Sequence, residues 1–164
     1  MPEFLAELLN QNDIFTAPTI MEYWGGLVTT VQLVFLSLIL GLLVAVPLAI
    51  MRTSKNPLIN GPVWFYTYIF RGTPLLIQLY IIYYGLAQIE CIQQTFWWDI
   101  FREAFYPALL AFTLNTAAYT TEIIRGAIVA TPSGEIEAAK AYGMSWALRM
   151  RRIILPSAAR RDVQ

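Results

Sequence analysis

The 164-residue chain has no histidine. That removes the commonest general base and the commonest metal ligand. It has one cysteine, Cys91. An intramolecular disulfide and a cysteine-rich metal site are therefore excluded, and Cys91 reads as a bystander. No G-x-x-x-x-G-K-[ST] occurs, so the chain has no P-loop of its own. No nucleophile–base pair stands out, and an enzyme is the least expected class. Charge is also scarce, at 13% of residues, against about 25% in a soluble domain. The net charge is zero, which gives no pull toward nucleic acid. The first 26 residues carry no Lys or Arg, so they do not open like a signal peptide with a basic segment.

What the chain has is apolar sequence. Hydrophobic residues make up 57%, and the mean hydropathy is +0.54. The expectation is an all-α integral membrane protein with three transmembrane helices. Leu27 to Met51 is uncharged and bounded by Gly25-Gly26 and Arg52. It exceeds the roughly 20 residues that cross a bilayer core, and Pro47 near its end is tolerable there. Arg52 to Pro57 reads as a short polar turn. Pro62 to Ile89 is apolar but interrupted by Arg71-Gly72-Thr73-Pro74. One helix from Pro62 to about Tyr84 would put Arg71 at mid-depth, where it needs a partner. Alternatively Thr73 is an N-cap with Pro74 at the first helical position. The spanning helix then starts at Pro74, and Trp64, Phe65, Tyr66, Tyr68 and Phe70 form an interfacial belt. The second reading is preferred because it leaves Arg71 near water. Glu90 to Glu103 reads as a mixed loop, and Pro107 to Ile128 as the third span.

Three spans place ten of the eleven basic residues on one side, with Arg102 alone on the other. The positive-inside bias makes the N-terminus periplasmic. The organisation expected is a periplasmic segment 1–26, a three-span membrane domain 27–128, and a cytoplasmic loop with the C-terminus, 129–164.

That last region contains EAAKAYGMSWALRMRRIILP, Glu137 to Pro156. Thr131-Pro132 is a helix start signal. Ile136–Tyr142 and Met144–Ile154 can form two short helices, with a break at Gly143 and a stop or bend at Pro156. From physics alone three readings stay open. The unit docks a partner, or lies on anionic lipid, or is a plain solvated loop.

The spacing is specific. Glu137-Ala138-Ala139, three residues, Gly143, nine residues, Ile153, one residue and Leu155-Pro156 resemble the EAA motif of permease subunits in bacterial ABC importers. TYIFRGTPLLIQL (Thr67–Leu79), LAFTLNTAAYTTEII (Leu110–Ile124) and GEIEAAKAYGMS (Gly134–Ser145) are similar to the polar amino acid permeases. They most resemble the HisM-type subunits for histidine, lysine, arginine and ornithine. The resemblance covers about residues 22 to 161. It implies a type I ABC importer permease fold in the bacterial inner membrane. It implies that Glu137, Ala138, Ala139 and Gly143 form a coupling element that docks on a cytoplasmic ATPase subunit. Ile153, Leu155 and Pro156 would anchor that element. It also implies a second permease subunit, a periplasmic amino-acid-binding protein, surrounding membrane lipid, and ATP held by the partner ATPase, with no cofactor on this chain. Family members continue with two further membrane helices, whereas this chain stops at ARRDVQ, eight residues after Pro156. The expectation is a C-terminally truncated member lacking those helices, with Asn115 and Glu122 partly unsatisfied. The rival is a non-transporting membrane interaction protein whose basic loop binds lipid.

Polar residues inside a span are functional candidates. At about 100° per residue, Asn115, Tyr119 and Glu122 fall on one face. They and Arg71 are the candidates for lining a translocation path, where Glu122 would attract a cationic side chain. The bland alternative is helix-packing glue, with Glu122 paired to Arg125 or Arg71. Thr113, Thr116 and Thr120 are expected to bond their own helix backbone.

Overall fold

The computed structural model describes residues 17–95 and 97–157. The first 16 residues and the basic pair Arg160-Arg161 lie outside the described residues. No strand occurs among those described. The chain divides into two units, residues 1–36 and 37–164. The described part of the first is the N-terminal half of helix α1, Ala17–Arg52. Here the Thr29 and Thr30 hydroxyls donate to the carbonyls of Gly25 and Gly26, at 3.0 and 2.8 Å. Those bonds leave no hydroxyl proton unpaired in an apolar helix. The helix therefore starts ten residues before Leu27, and Gly25-Gly26 is no boundary. Glycine in a helix interior costs about 1 kcal/mol relative to alanine, which neighbouring apolar turns can absorb.

The second unit begins inside α1. Ser37, Gly41, Ala45 and Ala49 are buried at four-residue spacing. This small-residue stripe lets another backbone approach closely. The partner is α6, Phe105–Val129. A Cβ on Gly41 would lie 2.8 Å from the Thr116 methyl. Thr121, fully buried, donates to the carbonyl of Ala45 at 3.5 Å. Only glycine fits the Gly41 position.

After α1 the chain turns into α2, Pro57–Gly72. Asn56 caps it, accepting from the Leu58 amide at 3.0 Å, and Pro57 takes the first position, where its missing N–H costs nothing. The helix thus starts before Pro62. A break at Thr73-Pro74 separates it from α3, Leu75–Gln88. Thr73 is extended and closes α2, and Pro74 sits at the cap of α3 with no side-chain cap bond. The interruption falls where the second reading put it, but Thr73 is not the N-cap.

Helices α2 and α3 both pack on α6. Thr67 meets Glu122, Arg71 meets Tyr119, and Gln78 meets Asn115. Rising numbers on one strand of contacts meet falling numbers on the other, so α2 and α3 run antiparallel to α6 as one interrupted helix. The first reading, an unbroken helix from Pro62 to about Tyr84, is not what the structure shows. Helix α3 has 14 residues, or about 21 Å, less than the roughly 30 Å thickness of a bilayer core. Of the five aromatics assigned to a belt, Trp64, Phe65 and Tyr68 are exposed. Tyr66 turns inward and donates to the carbonyl of Leu114 at 2.5 Å.

Between α3 and α6 the expected mixed loop holds two short helices, α4 (Glu90–Gln93) and α5 (Trp97–Phe101). Among the described residues one helix, Pro18–Arg52, is long and apolar enough to cross a membrane by length and composition, and Leu75–Gln88 is apolar but shorter.

Candidate functional site

Three clusters in the second unit carry the chemistry. The first is ionic. Glu122 accepts from Arg52 Nε at 2.9 Å and from the Thr67 hydroxyl at 3.0 Å through Oε1. Its Oε2 accepts from Arg125 Nε at 2.6 Å. Arg52 also donates to Asn60 Oδ1. One carboxylate thus joins α1, α2 and α6. The Glu122 side chain is 10% exposed, Arg52 16% and Arg125 34%. Charge-assisted bonds in such partial burial are stronger than neutral ones. Two guanidinium groups on one carboxylate leave the cluster net positive. Glu122 pairs with Arg125 and Arg52, not with Arg71, and both its oxygens are occupied.

The second cluster surrounds the helix break. An interruption next to proline frees backbone carbonyls that must find other donors. The Thr73 hydroxyl donates to the carbonyl of Ile69 at 2.9 Å. Gln78 Nε2 lies 2.7 Å from the carbonyl of Phe70 and 2.9 Å from that of Thr73. It is also 2.7 Å from the Thr73 hydroxyl oxygen. The Tyr119 hydroxyl donates to the carbonyl of Arg71 at 3.4 Å. Asn115 Nδ2 donates to Gln78 Oε1 at 3.1 Å. Asn115 and Glu122 are therefore hydrogen-bonded within this chain, contrary to the expectation of unsatisfied groups. Thr113 departs from expectation the other way. Its buried hydroxyl oxygen has no partner.

Arg71 lies between these clusters. Its guanidinium stands 5.6 Å from the centre of the Tyr119 ring, a cation–π contact. Among the described residues it makes no ion pair. Arg71 and Glu122 line one cavity of about 270 Å³, with Arg52, Trp64, Thr67, Tyr68 and Gly72. Asn115 and Tyr119 do not line it. The structure thus brings Arg71 and Glu122 to one cavity and sets Asn115 and Tyr119 to support the break. Sequence reasoning missed Arg52 as a partner, and Thr67 and Gln78 altogether. The available signal for Gln78 was an amide inside the otherwise apolar LLIQLYIIYYGLA, four residues after Pro74.

The third cluster is the polar loop. Helix α7, Ser133–Ala141, begins after Pro132. Gly143 has φ +71°, in the left-handed region where glycine avoids a Cβ penalty. Its amide donates to the carbonyl of Lys140 at 2.9 Å, and the Met144 amide to that of Ala139 at 3.1 Å. This pair of bonds is a Schellman end. Ser145 then caps α8, Trp146–Arg149, accepting from the Leu148 amide at 3.4 Å. A wide π turn follows at Met150–Ile154, with the Leu155 amide donating to the carbonyl of Met150. Pro156 explains the widening. It offers no N–H, and in a regular α turn its ring would press on the carbonyl of Arg152. The helix does not stop at Pro156 but continues to Ser157.

Glu137, Ala138 and Gly143 are exposed, while Ala139 is buried. Met150 and Ile154 are buried against Ile128, with Ile50, Ile124 and Leu155 packed around them. The loop is seated on the ends of α1 and α6 and keeps its outer face open. Ile153, Leu155 and Pro156 are half-buried. Among the described residues no three Cys, Asp or Glu side chains cluster as metal ligands.

Fold and site together define a class: a helical membrane component with an interrupted helix and a folded polar loop. The chain belongs to the family of binding-protein-dependent transport system inner membrane components, whose model matches residues 37–161. It is 50% identical over 133 residues to the nopaline transport system permease protein NocM of Agrobacterium fabrum, covering 80% of this chain and 55% of that protein. It is 50% identical over 151 residues to the histidine/lysine/arginine/ornithine transport system permease protein HisM of Escherichia coli K12, covering 85% and 63%. A solved amino acid ABC transporter with histidines matches with a TM-score of 0.69 and 35% identity, over 86% of this chain and 64% of that one. The chain spans 55–60% of the length of the first such relatives, NocM and the OccM octopine permeases.

Proposed function

We propose that this chain is the permease subunit of an ATP-driven amino acid importer, with basic amino acids as cargo. The observation that carries the reading is the loop from Glu137 to Pro156. It is folded, its back is packed on Ile128, Ile124 and Ile50, and its front leaves Glu137, Ala138, Tyr142 and Trp146 exposed. A partner pressing on that front acts directly on the ends of two long helices. The partner is a separate ATPase, which binds and hydrolyses the ATP. A second permease subunit and a periplasmic amino-acid-binding protein complete the assembly.

In this reading α1, the interrupted α2–α3 and α6 each cross the membrane, and the N-terminus is periplasmic. Arg71 then sits part-way through the bilayer, next to a break supported by protein groups. Irregular backbone is tolerated at that depth where it is buried or lines a cavity. Arg71 and Glu122 line the path. The net positive charge around them suits the carboxylate end of an amino acid better than a cationic side chain. The name of HisM and the similar amino acid ABC transporter support amino acid cargo.

A second reading draws on Trp146, 56% exposed, and on the exposed Arg151 and Arg152. In it the loop lies on anionic lipid and the chain does not transport. Proteoliposomes holding the chain, its ATPase, its partner permease and its binding protein separate the two. ATP-dependent uptake of labelled arginine, competed by lysine and histidine but not by glutamate, is expected. A stably inserted assembly without uptake contradicts the proposal and favours the lipid reading.

A further inference from the structure

By its periodicity the polar face of α6 is a candidate path lining. The geometry points to a different task for two of its members. We propose that Gln78 is a positioning residue that makes the break at Thr73-Pro74 a permanent hinge, with Asn115 and Tyr119 as its supports on α6.

The argument starts from the amide that proline lacks. In an unbroken α-helix the carbonyl of Phe70 would accept from the amide of residue 74. Residue 74 is Pro74, which has no N–H. Gln78 Nε2 stands in for that missing donor, at 2.7 Å from the Phe70 oxygen. Three more carbonyls around the break find side-chain donors. The Thr73 hydroxyl takes Ile69, Tyr119 takes Arg71, and Gln78 also takes Thr73. Gln78 is 6% exposed, so water cannot easily replace its bonds. Its oxygen accepts from Asn115, and that bond fixes which end of the amide faces the break.

The arrangement has a consequence for Arg71. The Tyr119 hydroxyl holds its backbone and the Tyr119 ring faces its guanidinium. Arg71 is thus set at the cavity by the break beneath it. Gln78, Asn115 and Tyr119 do not line that cavity, so they act on it through Arg71. This role rests on the transport reading for its purpose, but the hinge itself is a structural property that can be tested alone.

The test uses the full assembly in lipid nanodiscs and proteoliposomes. Amide hydrogen exchange is followed across residues 75–80, alongside arginine uptake. Gln78→Leu is expected to speed exchange there about tenfold and to cut uptake, with ATPase retention and membrane abundance unchanged. Gln78→Glu keeps the shape and the Asn115 bond but loses the amide donor, and is expected to act in the same direction. If Gln78→Leu fails to insert, Gln78→Glu decides. The double variant Pro74→Ala/Gln78→Leu supplies the missing N–H at residue 74. It should restore slow exchange while uptake stays low, because the break is gone. Unchanged exchange in both single variants overturns the proposal, as does a double variant that exchanges as fast as Gln78→Leu. A wild-type assembly without uptake defeats the transport reading, while the exchange results still decide the hinge.

Discussion

Helix α6 has two unlike seams. Toward α1 it presents Ala117 and Thr121 to the stripe Ser37, Gly41, Ala45 and Ala49, all buried. Along residues 37–49 that seam is set by contact distance, and the bond Thr121 donates to the carbonyl of Ala45 there is long, at 3.5 Å. Toward α2 and α3 it presents Asn115, Tyr119 and Glu122, each bonded to a partner on the other side. The difference teaches what each seam can tolerate. Close packing of small residues fixes one register, because a bound backbone has no slack. Directed polar bonds can hold an irregular backbone, because they replace the ladder bonds that proline removes.

The largest effect is expected on the polar seam. Glu122→Ala leaves Arg52 and Arg125 facing each other without their carboxylate. Breaking a buried pair costs about 3–5 kcal/mol, and the partial exposure of Arg125 places this case at the low end. In detergent unfolding titrations the loss should be accompanied by faster amide exchange in residues 60–72, with residues 37–49 unaffected. A smaller effect is expected on the close seam. Gly41→Val forces the Thr116 methyl aside, and overpacking of this kind costs about 1–3 kcal/mol. Its exchange change should fall on residues 37–49 and spare residues 60–72. Equal changes in both segments for both variants would erase the distinction between the seams.

Much of the site was readable in the residues themselves. A helix expected over Ile136–Tyr142 and observed at Ser133–Ala141, the break at Gly143 and the helix after it follow from local signals. Gly143 does adopt the backbone that glycine allows. The common face of Asn115, Tyr119 and Glu122 follows from helical periodicity. Arg125, three residues from Glu122, was among the expected partners; Arg52 and Gln78 were not, because they lie 37 to 70 residues away in sequence. Nothing near Arg52 says that it turns back to Glu122 rather than out to water. Boundaries misled where a breaker was outweighed by context. Gly25-Gly26 is carried inside α1, and Pro62 inside α2. Pro156 widens a helix rather than ending it, since one extra residue in the turn removes the clash. That α2 runs along α6, bringing Arg71 to Tyr119, is a tertiary fact with no local signal.

The proposed role of the loop from Glu137 to Pro156 is to dock an ATPase. Its most direct test is retention of that ATPase by the chain in detergent-solubilised membranes, wild type against Gly143→Asp. The backbone at Gly143 favours glycine, and a side chain there strains the turn that presents Glu137, Ala138 and Trp146. The account predicts retention by the wild type and its loss in Gly143→Asp, with the variant still inserted. Equal retention by both, or none by a stably inserted wild type, would contradict it.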